Sequence, residues 1–350
     1  MRARHVIAAS AAVASGLVLT AACSSSSSSS GSASSSGSAS TTNWANYGNI
    51  MKDFSAKYHI HITDANPDGS SQDELNAINQ LKGQSRAPDV VDIGTAFAVK
   101  GDQEGDLAPY QVTTWSNIPA DAKASDSTYY DSYGGYVAIG YNPAKVKTAP
   151  TSFGSLQNPA YKNQIALNGN PTQANAAFSA VFAAALANGG SLNNIAPGVA
   201  YFKKLHTEGN FVPVTGSAAT VESGQTPILI WWDYLLASEV QPSVPGFKIV
   251  IPTDGTYASY YDQAISKYAP DPAAARLWEE YLYSSTGQNL WLQGFARPIE
   301  LSTLVSNGTV DQTAYKALPP APSGQTTFPT QAQQAAAENV VAQQWSSVIG

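Results

Sequence analysis

Three short groups set aromatic rings beside a carboxylate: Trp231, Trp232, Asp233 and Tyr234; Ser259, Tyr260, Tyr261, Asp262 and Gln263; and the run from Tyr129 through Asp131 to Tyr136. Seven Trp and 18 Tyr are many for one chain, so the grouping is a usable signal. An aromatic face attracts an ammonium group by about 0.5–2 kcal/mol, and a neighbouring carboxylate fixes that charge by hydrogen bonding. Pairing the two therefore points to a cationic ligand. On a strand, Tyr260 and Asp262 project to the same side, because side chains alternate with period two. Core packing is the competing use of each of these rings.

Catalytic patterns are missing. There is no Gly-x-Ser-x-Gly elbow, phosphate loop, dinucleotide fingerprint or His-Glu-x-x-His. His59 and His61 alternate on a predicted strand and so share a face, but no third ligand lies near in sequence, which favours two solvated histidines over a metal pair. Glu279 and Glu280 are adjacent helix positions pointing about 100° apart, and read as a solvated face rather than a paired acid and base. The only cysteine, Cys23, excludes an internal disulfide and a thiolate cluster. No cofactor or metal is implied.

These groups must be positioned by a large body. The chain has 350 residues, 43% apolar and 12% charged, enough for about two domains. A net charge of −7 argues against nucleic acid as a partner. Residues 1–23 read as an export leader: Arg2, Arg4 and His5 are basic, and the apolar stretch from Val6 to Leu19 is too short to span a bilayer. Its end, Leu19-Thr20-Ala21-Ala22-Cys23, resembles the bacterial lipobox, whose cysteine is lipidated; Thr20 departs from the Leu, Val or Ile usual there. Residues 24–42, almost all Ser, Gly, Ala and Thr, form a flexible tether.

Beyond the tether, helical and strand patterns alternate. Tyr47–Lys57 suits a helix and His59–Ile62 a strand. Ser71 and Glu74 form a capping box opening a helix that ends near Gly83. Pro88–Gly94 reads as a buried strand, followed by strands in Tyr136–Asn142, Gln164–Asn168, Pro227–Trp232 and Phe247–Pro252, with an alanine-rich helix at Ala174–Leu186. Asp271 and Pro272 are natural N-cap and N1 residues for a helix burying Ala274, Leu277, Trp278, Tyr281 and Leu282. Helices at Thr286–Gly294 and Gln331–Val348 complete an α/β pattern that predicts mainly parallel sheets covered on both faces.

From Trp44 to the C-terminus the chain resembles the bacterial extracellular solute-binding proteins of ABC importers, the group holding spermidine/putrescine, ferric iron, thiamine and aminoethylphosphonate receptors. Six stretches in order carry the likeness: NWANYG, RAPDVVDIG, GYVAIGYNPAKV, APTSFGSLQNPAYKNQIALNGNP, PILIWWDY and APDPAAARLWEEYLYSSTGQNLWLQG. The resemblance implies a type II periplasmic-binding fold, two α/β lobes closing over a small solute without chemistry. Residues 43–141 form the first part of lobe 1, 142–254 lobe 2, and 255–350 the return to lobe 1 with C-terminal helices across both lobes. Strand crossings fall near Gly140–Pro143 and Asp254–Tyr260. Permease and ATPase subunits are the implied partners of a lipid-anchored, exported monomer.

The same resemblance maps Trp44 and Tyr47 to the Trp and Tyr that polyamine receptors place in the cleft, Trp232 to a cleft Trp, Asp262 to their amine-binding Asp and Tyr260 to its aromatic neighbour. Gly94, Thr95 and Phe97 line the first lobe, and Asp233 the second. Where polyamine receptors carry acids, this sequence has Thr172, Gln173 and Asn175, which suit a neutral or zwitterionic solute. Ferric receptors fit less well, so Tyr260 and Tyr261 are not read as iron ligands. A secreted surface hydrolase is the alternative of another class, and an adhesion or signalling protein on the same fold a third. The apolar first strand usual before the Trp segment is not evident in Ser36–Trp44; it is either unusually polar or missing.

Overall fold

The computed structural model describes residues 5–8, 41–65, 69–322 and 328–349. Cys23 and residues 24–40 lie outside the described residues. The first part of the chain contains β1 (His5–Ala8), α1 (Tyr47–Tyr58), β2 (His61–Asp64), α2 (Ser71–Leu81), β3 (Val90–Gly94), α3 (Thr95–Gln103), β4 (Leu107–Ala108) and β5 (Tyr130–Tyr141). Next come β6 (Ile165–Leu167), α4 (Asn175–Ala187), α5 (Ala196–Thr207), β7 (Phe211–Thr215), α6 (Ala218–Ser223), β8 (Ile228–Trp232), α7 (Asp233–Leu235) and, directly after it, a π-helical turn at Leu236–Val240. The return is built from β9 (Lys248–Val250), β10 (Ala258–Ser266), α8 (Pro272–Leu282), α9 (Ser285–Gln293), β11 (Arg297–Pro298), α10 (Leu301–Ser306), α11 (Gln312–Ala317), α12 (Gln331–Gln344) and α13 (Ser346–Ile349).

One strand organises the sheet. β5 pairs antiparallel with β10 through Tyr130–Tyr136, then with β8 through Val137–Tyr141. The strand order β3-β10-β5-β8-β6-β7 therefore splits into two half-sheets sharing β5. Parallel pairs occur in this sheet only in the second half, where β6 lies between β8 and β7, while β8 and β9 run antiparallel to β5; the prediction of mainly parallel sheets missed these and the antiparallel β10, which returns between β3 and β5.

Local chemistry explains most element ends and three departures from the sequence reading. α1 buries Tyr47, Ile50 and Phe54, at helical spacing, and stops at His59, whose φ of 57° is left-handed. His59 is thus a helix cap, and β2 begins only at His61, so the two histidines do not alternate along one strand. The capping box that opens α2 is Ser70 with Asp73, one residue ahead of the expected Ser71 and Glu74. Glu74 turns inward instead, 1% exposed, and accepts a hydrogen bond from the Asp92 amide at 2.9 Å. α8 begins as predicted, with the Asp271 side chain accepting from Ala274 N at 3.1 Å and Pro272 in the first turn. Glu279, however, is fully buried rather than solvated, and accepts from the Tyr130 hydroxyl at 3.2 Å; Glu280, next to it, accepts from Tyr110.

A second, two-stranded sheet stands apart from the one that β5 organises. β1 pairs in parallel with β2, His5 opposite His61 through Ala8 opposite Asp64, and lies beside β3 and α8. β1 belongs to the segment that reads as an export leader, and the first strand expected just before Trp44, whether polar or missing, is not assigned among the described residues 41–43.

In the second half, α4 is buried from Asn175 to Ala185, as its alanine-rich sequence requires of a helix apolar on every side. It packs against α5 and β8. α12 contacts α3 in the first half and α5 in the second, and Trp345 beyond it sits against Phe202 and Phe211, ring centroids 5.8 and 6.3 Å away.

Candidate functional site

Two segments carry Trp44 and Asn175 to the handover between the half-sheets. Trp44 lies in a turn whose next two residues, Ala45 (φ 43°) and Asn46 (φ 71°), are both left-handed without being glycine. Such backbone is strained by about 1–3 kcal/mol per residue and persists where the surroundings enforce it. Here Asn46 Nδ2 donates to the Leu290 carbonyl at 2.8 Å, and the turn packs on α7 and the π-helical turn of the second half. Asn175 opens α4 and meets Gly94 at the end of β3. A Cβ on Gly94 would fall 2.2 Å from Asn175 Cγ, so only glycine allows this contact between the two halves.

Around this contact the rings converge. Trp44 lies 6.1 Å from Trp231 and 5.6 Å from Tyr261, centroid to centroid; Tyr261 is 6.3 Å from Trp232, which stacks on Tyr234. Beneath them runs a hydrogen-bonded chain: Trp44 Nε1 donates to the Tyr133 hydroxyl at 2.7 Å, and Tyr133 to Asp92 Oδ2 at 2.5 Å. Gln263 Nε2 donates to Asp92 Oδ1 at 2.9 Å and to the Tyr47 hydroxyl at 3.0 Å. Burial pushes the Asp92 carboxyl up to about 8, against the hydrogen bonds from Tyr133 and Tyr47.

Polar atoms at the centre of the cluster are not satisfied by the protein. Both amide atoms of Asn175, Nε1 of Trp231 and of Trp232, and the Tyr234 hydroxyl are buried without a hydrogen-bond partner. Burial raises the Tyr261 hydroxyl pKa, opposed by Trp232 and Asn175, whose nearest protein partner is that hydroxyl, in a geometry short of a full hydrogen bond. Buried polar groups are normally bonded, and each orphan costs about 1–3 kcal/mol. Several orphans gathered where two halves of a fold meet are suited to a bound molecule that completes them.

The remaining site residues divide. Tyr47 is buried under the cluster, 5.0 Å from Trp291 and stacked on Trp278, and Phe97 is buried in the first half. Thr172 bonds Asn170 at 3.0 Å at the rim beside the exposed Gln173. Asp233, fully buried, is bound by Arg297 Nη1 at 2.6 Å and by the Tyr136 amide at 2.9 Å. Burial still holds its carboxyl above the usual range, with Arg297 the main opposing influence. Tyr260 and Asp262 face the opposite side of β10 from Tyr261. Tyr260 packs on Phe328 at 5.6 Å, and Asp262 sits opposite Asp131 in the strand register, near Thr95. Tyr260 and Tyr261 thus diverge and form no tyrosine pair. Among the described residues, no three His, Cys, Asp or Glu are grouped to hold a metal ion.

Sequence reasoning missed Tyr133, Asp92 and Arg297. Tyr133 lay within an aromatic run, but only the register opposite Tyr261 selects it. Arg297, between Ala296 and Pro298, belongs to no pattern.

A protein-family model described as "Bacterial extracellular solute-binding protein" matches residues 85–322. No curated protein matches the chain by sequence. Among solved structures it is similar to the periplasmic binding protein AfuA of Actinobacillus pleuropneumoniae with fructose-6-phosphate bound (TM-score 0.73, 18% identity, 99% of each chain). It is also similar to the periplasmic binding protein AgtB of A. tumefaciens R10 with agropinic acid (0.72, 11%, 100% of this chain and 99% of that one) and to iron-bound HitA of Pseudomonas aeruginosa (0.64, 16%, 98% and 99%). These likenesses establish the two-lobe periplasmic-binding fold.

Proposed function

The chain belongs to the bacterial extracellular solute-binding proteins, and on that premise we propose that it captures a small solute between Trp44 and Gly94 on one lobe and Asn175 and Trp232 on the other, for delivery to an ABC importer. The orphaned polar atoms at that junction carry the reading. Two indole N–H donors, an amide and a hydroxyl among stacked rings suit a solute with hydrogen-bond acceptors and a flat apolar face. Asp233 is occupied by Arg297, and Asp92 by Tyr133 and Gln263. A neutral or zwitterionic solute therefore fits better than a diamine, which needs an available carboxylate at each end. The rings of Trp44, Trp231, Trp232 and Tyr261 support an organic cation as the second reading.

Closure is a population shift, so the solute must touch both lobes to favour the closed form. A dissociation constant near 1 μM corresponds to about −8 kcal/mol, within reach of a few buried hydrogen bonds and two ring contacts after ordering costs. Export and a lipid at Cys23, with the Ser-rich tether as leash, would hold the protein beside its permease. Cys23→Ala should release it into the medium, and unchanged membrane retention would refute the anchor.

A thermal-shift screen across sugars, sugar phosphates, amino acids, phosphonates, polyamines and thiamine identifies the solute, because selective binding raises the melting temperature. Calorimetry on Trp232→Phe and Asn175→Ala then tests the site. Each should bind roughly tenfold more weakly, the equivalent of about 1.4 kcal/mol for a lost hydrogen bond. Unchanged affinity in both variants would overturn it.

A further inference from the structure

The ion pair of Arg297 and Asp233 sits at the crossover itself and joins the two half-sheets. Tyr136 is the last residue of β5 in register with β10, and Val137 the first in register with β8. Asp233 directly follows β8, whose final residue Trp232 stands opposite Val137, whereas Arg297 lies on β11 opposite Gly134. The pair therefore ties the second half to the first within a few residues of the point where β5 changes partner.

The two oxygens of Asp233 have different duties. Oδ1 accepts from the Tyr136 amide at 2.9 Å, and Oδ2 from Arg297 Nη1 at 2.6 Å. A swing of the second half about the crossover leaves the first bond near its axis, because Tyr136 is on the strand that turns. The second bond runs from the moving half to β11 and must stretch. Opening also wets both charges, so this bond biases the swing without locking it.

Arg297 is held ready on the first half. Its Nη2 donates to the Pro319 carbonyl at 2.6 Å, and the guanidinium lies 4.8 Å from the centre of the Tyr136 ring. A planar fork makes all these contacts at once, which an ammonium cannot. When Asp233 moves away, the other two contacts remain and keep the guanidinium aimed. Asp233, for its part, carries cluster rings on both sides: Trp232, 6.3 Å from Tyr261, and Tyr234, 6.1 Å from Tyr133. β5 makes room for this seat with Gly135, where a Cβ would fall 2.3 Å from Asp233 Oδ1 and 2.6 Å from Tyr234 Cδ1. Arg297 stays outside the cluster, beside Tyr260 and Phe328.

Resting on the reading of solute capture by lobe closure, we propose that Arg297 is a positioning residue that latches the closed form. Its bond to Asp233 forms as the second half swings in, and seats Trp232 against Tyr261 and Tyr234 against Tyr133 without Arg297 touching the solute.

The test reads lobe separation directly, with no solute present. Spin labels are placed at Gln103→Cys on α3 and Lys203→Cys on α5, exposed positions on the two helices that α12 contacts, in a Cys23→Ser background, and their separation is measured by pulsed electron resonance. The parent protein should show a shorter, closed distance whose share falls roughly threefold or more in Arg297→Met, and by less in Arg297→Lys, which keeps the charge but not the fork. Leu156→Ala, a truncation of a fully buried side chain in the second half, lowers stability without touching the latch and should leave the shares as they are. Equal shares in the parent and the Arg297 variants overturn the latch, as does an equal shift in Leu156→Ala. Should Arg297→Met fail to fold, Arg297→Lys against the parent decides on the same terms. Two distances in unchanged proportion refute the latch alone. One unchanging distance in every protein, also with the solute chosen by the thermal-shift screen, refutes lobe closure and the latch with it.

Discussion

Asp233 and Asp262 are buried to the same depth, at 0% and 1% exposure, and each follows a pair of aromatic residues. Their circumstances are opposite. Asp233 receives a guanidinium from Arg297, distant in sequence, and a backbone amide from Tyr136; a Cβ on Gly135 would fall 2.3 Å from its Oδ1, so glycine is needed for that approach. Asp262 receives another carboxylate. The same local motif has thus produced a satisfied ion pair spanning α7 and β11 in one place, and an unsatisfied acid in the other. What separates them is the partner strand, which no short motif encodes.

The largest effect should come from breaking the satisfied side. Arg297→Met leaves Asp233 buried without its partner, and removing one member of a buried pair costs about 3–5 kcal/mol; urea unfolding should register most of it. A loss below about 1 kcal/mol would place this pair with exposed ones in energetic terms. Next in size is Tyr133→Phe, which deprives both Trp44 Nε1 and Asp92 of a partner and should cost about 1–3 kcal/mol. A cost near zero would mean that this chain of bonds is solvent-replaceable. The smallest effect, and one of opposite sign, belongs to the unsatisfied side: Asp262→Asn should stabilise the protein by roughly 1 kcal/mol near pH 8 and leave it unchanged near pH 5. Destabilisation at both pH values would abolish the contrast with Asp233. Asp92 and Glu279, each raised to about 8 by burial, add to the same trend, so overall stability should fall as pH rises from the ordinary carboxylate range, about 4, to about 8.

Much of this architecture was readable from residue patterns. The Asp271 and Pro272 start of α8, the buried run of β3 and the alanine-rich α4 all follow from capping and periodicity. Errors arose where a tertiary contact outweighed a local signal, as when Glu74 turned toward the Asp92 amide and moved the capping box to Ser70. The arrangement of the candidate site was only partly legible. Trp44, Gly94, Asn175 and Trp232 do converge, while Tyr260 and Asp262 share a side of β10, as alternation requires, but it is the side away from Trp44. Tyr133 and Arg297 could be chosen only once strand register was known.

Most of the exposed large apolar side chains lie away from the cluster. Tyr260, Leu301, Val305 and Tyr315 line an open groove of about 510 Å³ on the other face of β10. It offers a solute a second place to settle, and so provides the contrast for a direct test. A crystal structure of the protein with the solute that raises its melting temperature most should show that molecule between the lobes, bonded to Asn175 and Trp232 and touching Trp44. A solute lodged in the Tyr260 and Tyr315 groove, with the rings of Trp44, Trp231, Trp232 and Tyr261 still in mutual contact, would contradict capture by lobe closure.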